Sequence, residues 1–159
     1  MIVILMGTTG SGKTTVGELL AKRLGWEFAD GDSFHPAANV EKMSRGIPLD
    51  DADRAPWLAA LHAKMIEWTA EGRNVVLACS ALKRSYRAQL GIGPGVKLVY
   101  LKGSYEVIAA RLRARHGHFA GEQILAAQFA DLEEPDDAIV VSVDGTPEEI
   151  VGEILQEIH

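Results

Sequence analysis

"ILMGTTGSGKTTVGELL", residues 4–20, sets an apolar run against a glycine-rich turn and then against apolar side chains at helical spacing. Ile2–Met6 is a continuous apolar stretch closed by Gly7, the pattern of a strand buried on both faces. From Lys13 to Leu24 the residues Val16, Leu19, Leu20 and Leu24 fall on one helical side, and Gly25 is a stop signal. Between strand and helix lie Gly7, Thr8, Thr9, Gly10, Ser11, Gly12, Lys13 and Thr14, which satisfy G-x-x-x-x-G-K-[ST] in full. A glycine-rich turn curls the chain so that successive N–H groups converge, and the following helix adds its positive end. Lys13 then places a point charge on the β- and γ-phosphates of a nucleotide, and the Thr14 hydroxyl ligates Mg²⁺. A turn that was merely flexible would not require the strand and the amphipathic helix that frame this one.

Outward from this point the same alternation continues. Trp26–Ala29 reads as a second strand, Val75–Cys79 as a third, Lys97–Leu101 as a fourth and Ala138–Val143 as a fifth. Helical spacing is expected from about Pro56 to Ala70, over Ala81–Leu90, from a Ser104 cap to about Arg115, and over 122–132. Thr146, Pro147 and Glu149 form a capping box with proline at the first helical position of the last helix. Strands alternating with helices predict a parallel sheet covered on both sides, in one α/β domain spanning 1–159.

Composition narrows the partners. A chain of 159 residues with a formal charge of −6 lacks the basic stripe of a nucleic-acid footprint. No stretch approaches the roughly 20 apolar residues of a membrane span, and "MIVILMG" lacks the basic leader of a signal peptide. The single cysteine, Cys79, fits a reducing compartment and an inert buried thiol, so a cytoplasmic location is expected.

In open α/β sheets ligands bind outside the carboxyl ends of the strands. That rim carries GTTGSGKT, DGDSFHP and CSALKR. Asp30 and Asp32, read as an extended segment, send both carboxylates to one side, where one supports metal and the other accepts a hydroxyl proton. His35, Asn39 and Lys42, expected in a loop, offer donors and acceptors to a ligand rich in hydroxyls. Arg54, Lys83 and Arg87 are cations beside the phosphate site and suit an anionic second substrate; Arg84 reads as a solvated residue. Arg111 and Arg115 lie one helical turn apart before "HGHF", placed to stack on adenine and to close over the γ-phosphate. The third strand ends in Ala78-Cys79-Ser80, without the magnesium aspartate of many P-loop enzymes, which favours a small-molecule kinase over a motor or GTPase.

Taken together, GTTGSGKT, DGDSFHPAANVEKMSRGIPLDDADRAPWL, CSALKRSYR, VYLKG, ARHGHF and QFADLEEP make the chain resemble gluconokinases of the small P-loop type. Shikimate and nucleoside-monophosphate kinases are more distant relatives of that group. Thr8 and Thr9 stand where the family more often has Val and Ser. The resemblance implies a P-loop kinase fold of three α/β/α layers, with a five-stranded parallel sheet of order 2-3-1-4-5 and a mobile lid around 115–128. It implies ATP and D-gluconate as substrates, Mg²⁺ at Thr14 and Asp30, and transfer of the γ-phosphoryl group to the 6-hydroxyl. Lys13, Asp32 and Arg115 would be catalytic, with Asp30 and Asp32 interchangeable in role on sequence grounds. The loop Asp144-Gly145-Thr146-Pro147 would touch adenine, and a homodimer is in keeping with the family. The competing readings are a related kinase of another hydroxy acid, such as shikimate, and a nucleotide-gated binding protein.

Overall fold

The computed structural model describes residues 1–116 and 121–158. Strands β1 (Ile2–Met6), β2 (Glu27–Asp30), β3 (Val75–Ala78), β4 (Val96–Lys102) and β5 (Ile139–Ser142) form one sheet of order β2-β3-β1-β4-β5. Every pairing is parallel, with Leu5 opposite both Ala78 and Val99. The helices are α1 (Lys13–Leu24), α2 (Ala37–Ser44), α3 (Asp51–Ala70), α4 (Arg84–Leu90), α5 (Tyr105–His116), α6 (Glu122–Asp131) and α7 (Pro147–Glu157).

Strand periodicity sorts the layers. Ile2, Ile4 and Met6 face one side of the sheet and pack with Trp57, Leu58, Leu61 and Met65 of α3 and Tyr86 of α4. Val3 and Leu5 face the other side, against Val16 and Leu20 of α1 and Ile150, Val151 and Ile154 of α7. A third, smaller cluster joins Ile108 and Ala109 of α5 to Leu125 of α6. The sheet is therefore covered on both faces, the arrangement expected of an all-parallel sheet, and no helix among the described residues is long and apolar enough to cross a membrane.

Three elements depart from the expected boundaries. First, α3 begins at Asp51 rather than near Pro56, because Asp50 and Asp53 exchange side-chain-to-backbone bonds in a capping box. Aspartate at the third position is shorter than the usual Glu or Gln of such a box, and the proline masked the earlier start. Second, α4 begins at Arg84 rather than Ala81, since Ala81 is held at φ 47, where a right-handed helix is impossible. Third, residues 37–44, expected as loop, form α2, with Pro36 as an extended N-cap ahead of two alanines. His35 itself is extended, as a residue before proline should be.

The turn after β2 is a 3-10 segment, Gly31–Phe34, fixed by three contacts. Asp32 N–H donates to Asp30 Oδ1 at 3.0 Å, Ser33 Oγ to Asp30 O at 2.7 Å, and the buried Trp57 Nε1 to Gly31 O at 2.8 Å. A Cβ on Gly31 would stand 2.6 Å from Ala78 O, a backbone atom that cannot step aside. Gly31→Ala is therefore expected to lose about 1–3 kcal/mol of stability. Urea unfolding of the purified variant measures this, and an unchanged midpoint would show that the turn tolerates the extra carbon.

Candidate active site

The phosphate loop folds as its motif requires. Gly10 and Gly12 take φ 77 and φ 95, so the backbone curls ahead of α1. Gly10 also lets α5 approach: its Cβ would lie 2.9 Å from the Leu112 side chain. Lys13 Nζ donates to Thr8 O at 2.8 Å, stretched back along the loop. Burial holds the Lys13 ammonium below the ordinary lysine pKa, opposed by the carboxylates of Asp32 and Asp30. Thr8 and Ser11 are buried, and neither hydroxyl has a hydrogen-bond partner among the described residues.

A cavity of about 350 Å³ opens over this loop. Its wall includes Thr9, Gly10, Gly12, Lys13 and Thr14 from the loop, Asp30, Asp32 and His35 from the segment after β2, and Arg54 and Trp57 from α3. Arg115 of α5 and Ile124, Ala127 and Gln128 of α6 close the far side, while Met43, Ile47, Pro48 and Leu49 supply an apolar flank. Ala78 and Ser80 line it at the end of β3, where other P-loop enzymes carry an aspartate.

Asp30 and Asp32 reach the same cavity by a different route from the extended spacing expected. Asp30 closes the strand and caps the 3-10 turn, so its Oδ1 is occupied by the Asp32 amide. Asp32 sits on the turn with its side chain 69% exposed, its Oδ1 4.0 Å from His35 Nε2. His35 is buried beneath it, stacked on Trp57 with ring centroids 4.4 Å apart. Asn39 Nδ2 donates to Asp53 O at 2.8 Å and lies 3.2 Å from His35 Nδ1. Asp53 O accepts only, so the amide nitrogen faces the ring; Nδ1 is then the acceptor and Nε2 carries the proton. Burial lowers the His35 pKa, which keeps that neutral form.

The cations divide. Arg54, with a side chain only 6% exposed, uses Nη1 for both Tyr86 Oη and Asp131 Oδ2, each at 2.9 Å. Its remaining nitrogens bond to no group among the described residues. Lys42 is outside the cavity wall, bound to both Asp53 carboxylate oxygens, and Lys83 pairs with Asp51 at 2.9 Å. Arg87 is turned inward and donates to the carbonyls of Ala81, Leu82 and Glu133. Asn39, Lys42, Lys83 and Arg87 thus support the site's frame instead of lining it. Arg84 is solvated, as expected, with a long contact to Asp136.

Arg111 lies apart from Arg115: its Nη2 donates to Val143 O at 2.5 Å, directly before the Asp144-Gly145-Thr146-Pro147 loop. The expected adenine contacts are therefore neighbours. Thr146 caps α7 as read, its Oγ1 accepting from Glu149 N at 3.2 Å. Cys79 is buried and its thiol is pushed up to about 12 by desolvation, which makes it inert. The expected lid, 115–128, crosses residues 117–120, which lie outside the described residues; its far part is the start of α6.

Sequence reasoning missed Trp57, Tyr86, Asp131 and Gln128. Their one signal was membership of the segments that carried the family resemblance.

A phosphate loop, a paired carboxylate turn and a cation on one rim of this sheet define a P-loop kinase that acts on a hydroxyl group. Residues 9–159 match the family model for shikimate kinase. Within that class the chain belongs to the gluconokinase family. It is 49% identical to a gluconokinase of Gluconobacter oxydans, over 97% of this chain and 89% of that one. It is 43% identical to the thermoresistant gluconokinase of Escherichia coli, over 99% and 93%. The crystal structure of a gluconokinase from Sinorhizobium meliloti superposes with a TM-score of 0.87 at 44% identity, covering 97% of this chain and 89% of that chain.

Proposed function

We infer that this chain transfers the γ-phosphoryl group of ATP to the 6-hydroxyl of D-gluconate, giving 6-phosphogluconate and ADP. The observation that carries the reading is the single cavity in which Lys13, Asp32, His35 and Arg54 share a wall. A linear polyol acid needs a cation at its carboxylate end and polar groups along its length. Arg54 offers two unengaged nitrogens to the carboxylate, and His35 Nε2–H offers a donor to a hydroxyl. Asp32 takes the proton of the 6-hydroxyl, the freed oxygen bonds to the γ-phosphorus, and the bond to the β,γ-bridging oxygen breaks to release ADP. Lys13 and the loop amides balance the charge that gathers on the phosphoryl oxygens, and Arg115 closes over them from α5.

Magnesium fits the donor set. The Thr14 hydroxyl and the Asp30 carboxylate are hard oxygen ligands on the cavity wall. Among the described residues no cluster of three His, Cys, Asp or Glu would hold an ion unaided, the usual situation for Mg²⁺ bound mostly by phosphates and water. Held by Thr14 and Asp30, the ion would supply charge neutralisation to the phosphate oxygens. A cytoplasmic location and a lid around 115–128 belong to the same reading.

Steady-state ADP release with Mg²⁺-ATP tests the acceptor. Gluconate is expected to stimulate release far above shikimate and above a no-acceptor control; equal release with all three would remove gluconate. Arg54→Ala is expected to raise the KM for gluconate about ten- to hundredfold with the KM for ATP unchanged, the loss of a charged hydrogen bond. Arg54→Lys controls for the fold, keeping a cation beside Asp131 while removing the second arm. Equal rises in both KM values for Arg54→Ala would place the arginine elsewhere.

A further inference from the structure

Thr9 N–H, an amide of the phosphate loop, donates to Gln128 Oε1 at 2.7 Å across 119 residues of sequence. The other end of that same peptide group, Thr8 O, accepts from Lys13 Nζ at 2.8 Å. One peptide plane is thus held between the loop lysine and a side chain of α6. Because an N–H only donates, the carboxamide must present its oxygen to Thr9, and this fixes where its nitrogen points. Gln128 lines the cavity, and its Nε2 bonds to no group among the described residues. The α5–α6 pair that carries it rests on the loop, with Leu112 against Gly10 and Leu125 in the cluster with Ile108.

The geometry points to Gln128 as a further residue of the phosphoryl-transfer site, anchored through Oε1 on Thr9 N–H and donating through Nε2 to the γ-phosphoryl oxygens. This rests on the reading of the cavity as a triphosphate site. Lys13 serves the β- and γ-phosphates, and Gln128 stands one peptide group away from its ammonium. The terminal phosphoryl group is the part of the nucleotide that ADP lacks. A donor aimed at it gives α6 a means of distinguishing ATP from ADP before transfer. Arg115 supplies charge from α5; Gln128 supplies a neutral donor whose position is set by the loop itself.

The test is calorimetric titration of wild type, Gln128→Ala, Gln128→Leu and Gln128→Glu with Mg²⁺ and either ADP or β,γ-imido-ATP. Gln128→Ala and Gln128→Leu are expected to bind ADP as wild type does, which also reports an intact fold. Affinity for the imido analogue should fall about ten- to hundredfold in Gln128→Ala and Gln128→Leu, the value of a hydrogen bond to a charged group. Gln128→Glu should fall further, since it keeps an acceptor for Thr9 but turns an anion toward the phosphate. An unchanged ratio of the two affinities would overturn the proposal. So would wild-type behaviour of Gln128→Glu, which would make the residue only a latch, or tighter analogue binding by Gln128→Ala, which would make it a stand-in for phosphate. If wild type shows no gluconate-dependent turnover, the acceptor reading falls while these ratios still judge Gln128.

Discussion

Lys13→Ala lowers turnover about 10²- to 10³-fold, the cost of removing one preorganised partner for developing charge. The effect is expected on kcat more than on stability. Among the described residues Lys13 makes one hydrogen bond, to Thr8 O, and that carbonyl turns to water or to a neighbouring amide when the ammonium is gone. Burial already works against the charged lysine, and the carboxylates of Asp32 and Asp30 offset that cost. A cation held in that balance on a cavity wall fits the ligand-binding role proposed for it. Steady-state kinetics beside a urea melt separate the two effects. Full activity in this variant would remove the lysine from the mechanism.

Asp32→Asn is the second large effect, with turnover down about 10²- to 10⁴-fold and ATP affinity nearly kept. The structure separates this residue from its neighbour. Asp30 Oδ1 is committed to the Asp32 amide, a bond that the carbonyl oxygen of asparagine can keep, so Asp30→Asn tests the metal-supporting carboxylate with the turn intact. Among the described residues the Asp32 carboxylate accepts no hydrogen bond, and it faces solvent and the cavity together. It is the freer of the two to meet an incoming hydroxyl, which favours it as base and Asp30 as metal support. Normal turnover in Asp32→Asn with loss in Asp30→Asn would reverse the roles.

The frame of this molecule was readable because its strands are short apolar runs closed by glycine or polar turns. Ile2–Met6, Val75–Ala78 and the phosphate loop between them decide the sheet, and local pattern alone announces each. The α7 start was equally plain, since Thr146, Pro147 and Glu149 are a complete local signal. What stayed hidden depended on contacts between distant residues. Nothing local reveals that Asn39 would turn to His35 and Asp53, or that Arg87 would turn inward to three carbonyls. Nor does a glutamine in a short helix declare that it bonds to the loop amide 119 positions earlier. Expected site residues that follow strand ends line the cavity, whereas several of the expected cations are held in ion pairs or backbone contacts outside its wall. Lys42 and Lys83 are paired with Asp53 and Asp51 beside the capping box of α3.

All of this depends on one cavity serving both substrates, with the polyol's far hydroxyl delivered to the nucleotide's last phosphorus. Phosphorus NMR of a reaction containing Mg²⁺-ATP, gluconate and purified protein reads that transfer from the product. One new phosphomonoester signal, coupled to the two protons of a terminal carbon and growing in step with ADP, is the expected result. Free inorganic phosphate growing in its place, or an ester on an internal carbon, would contradict it.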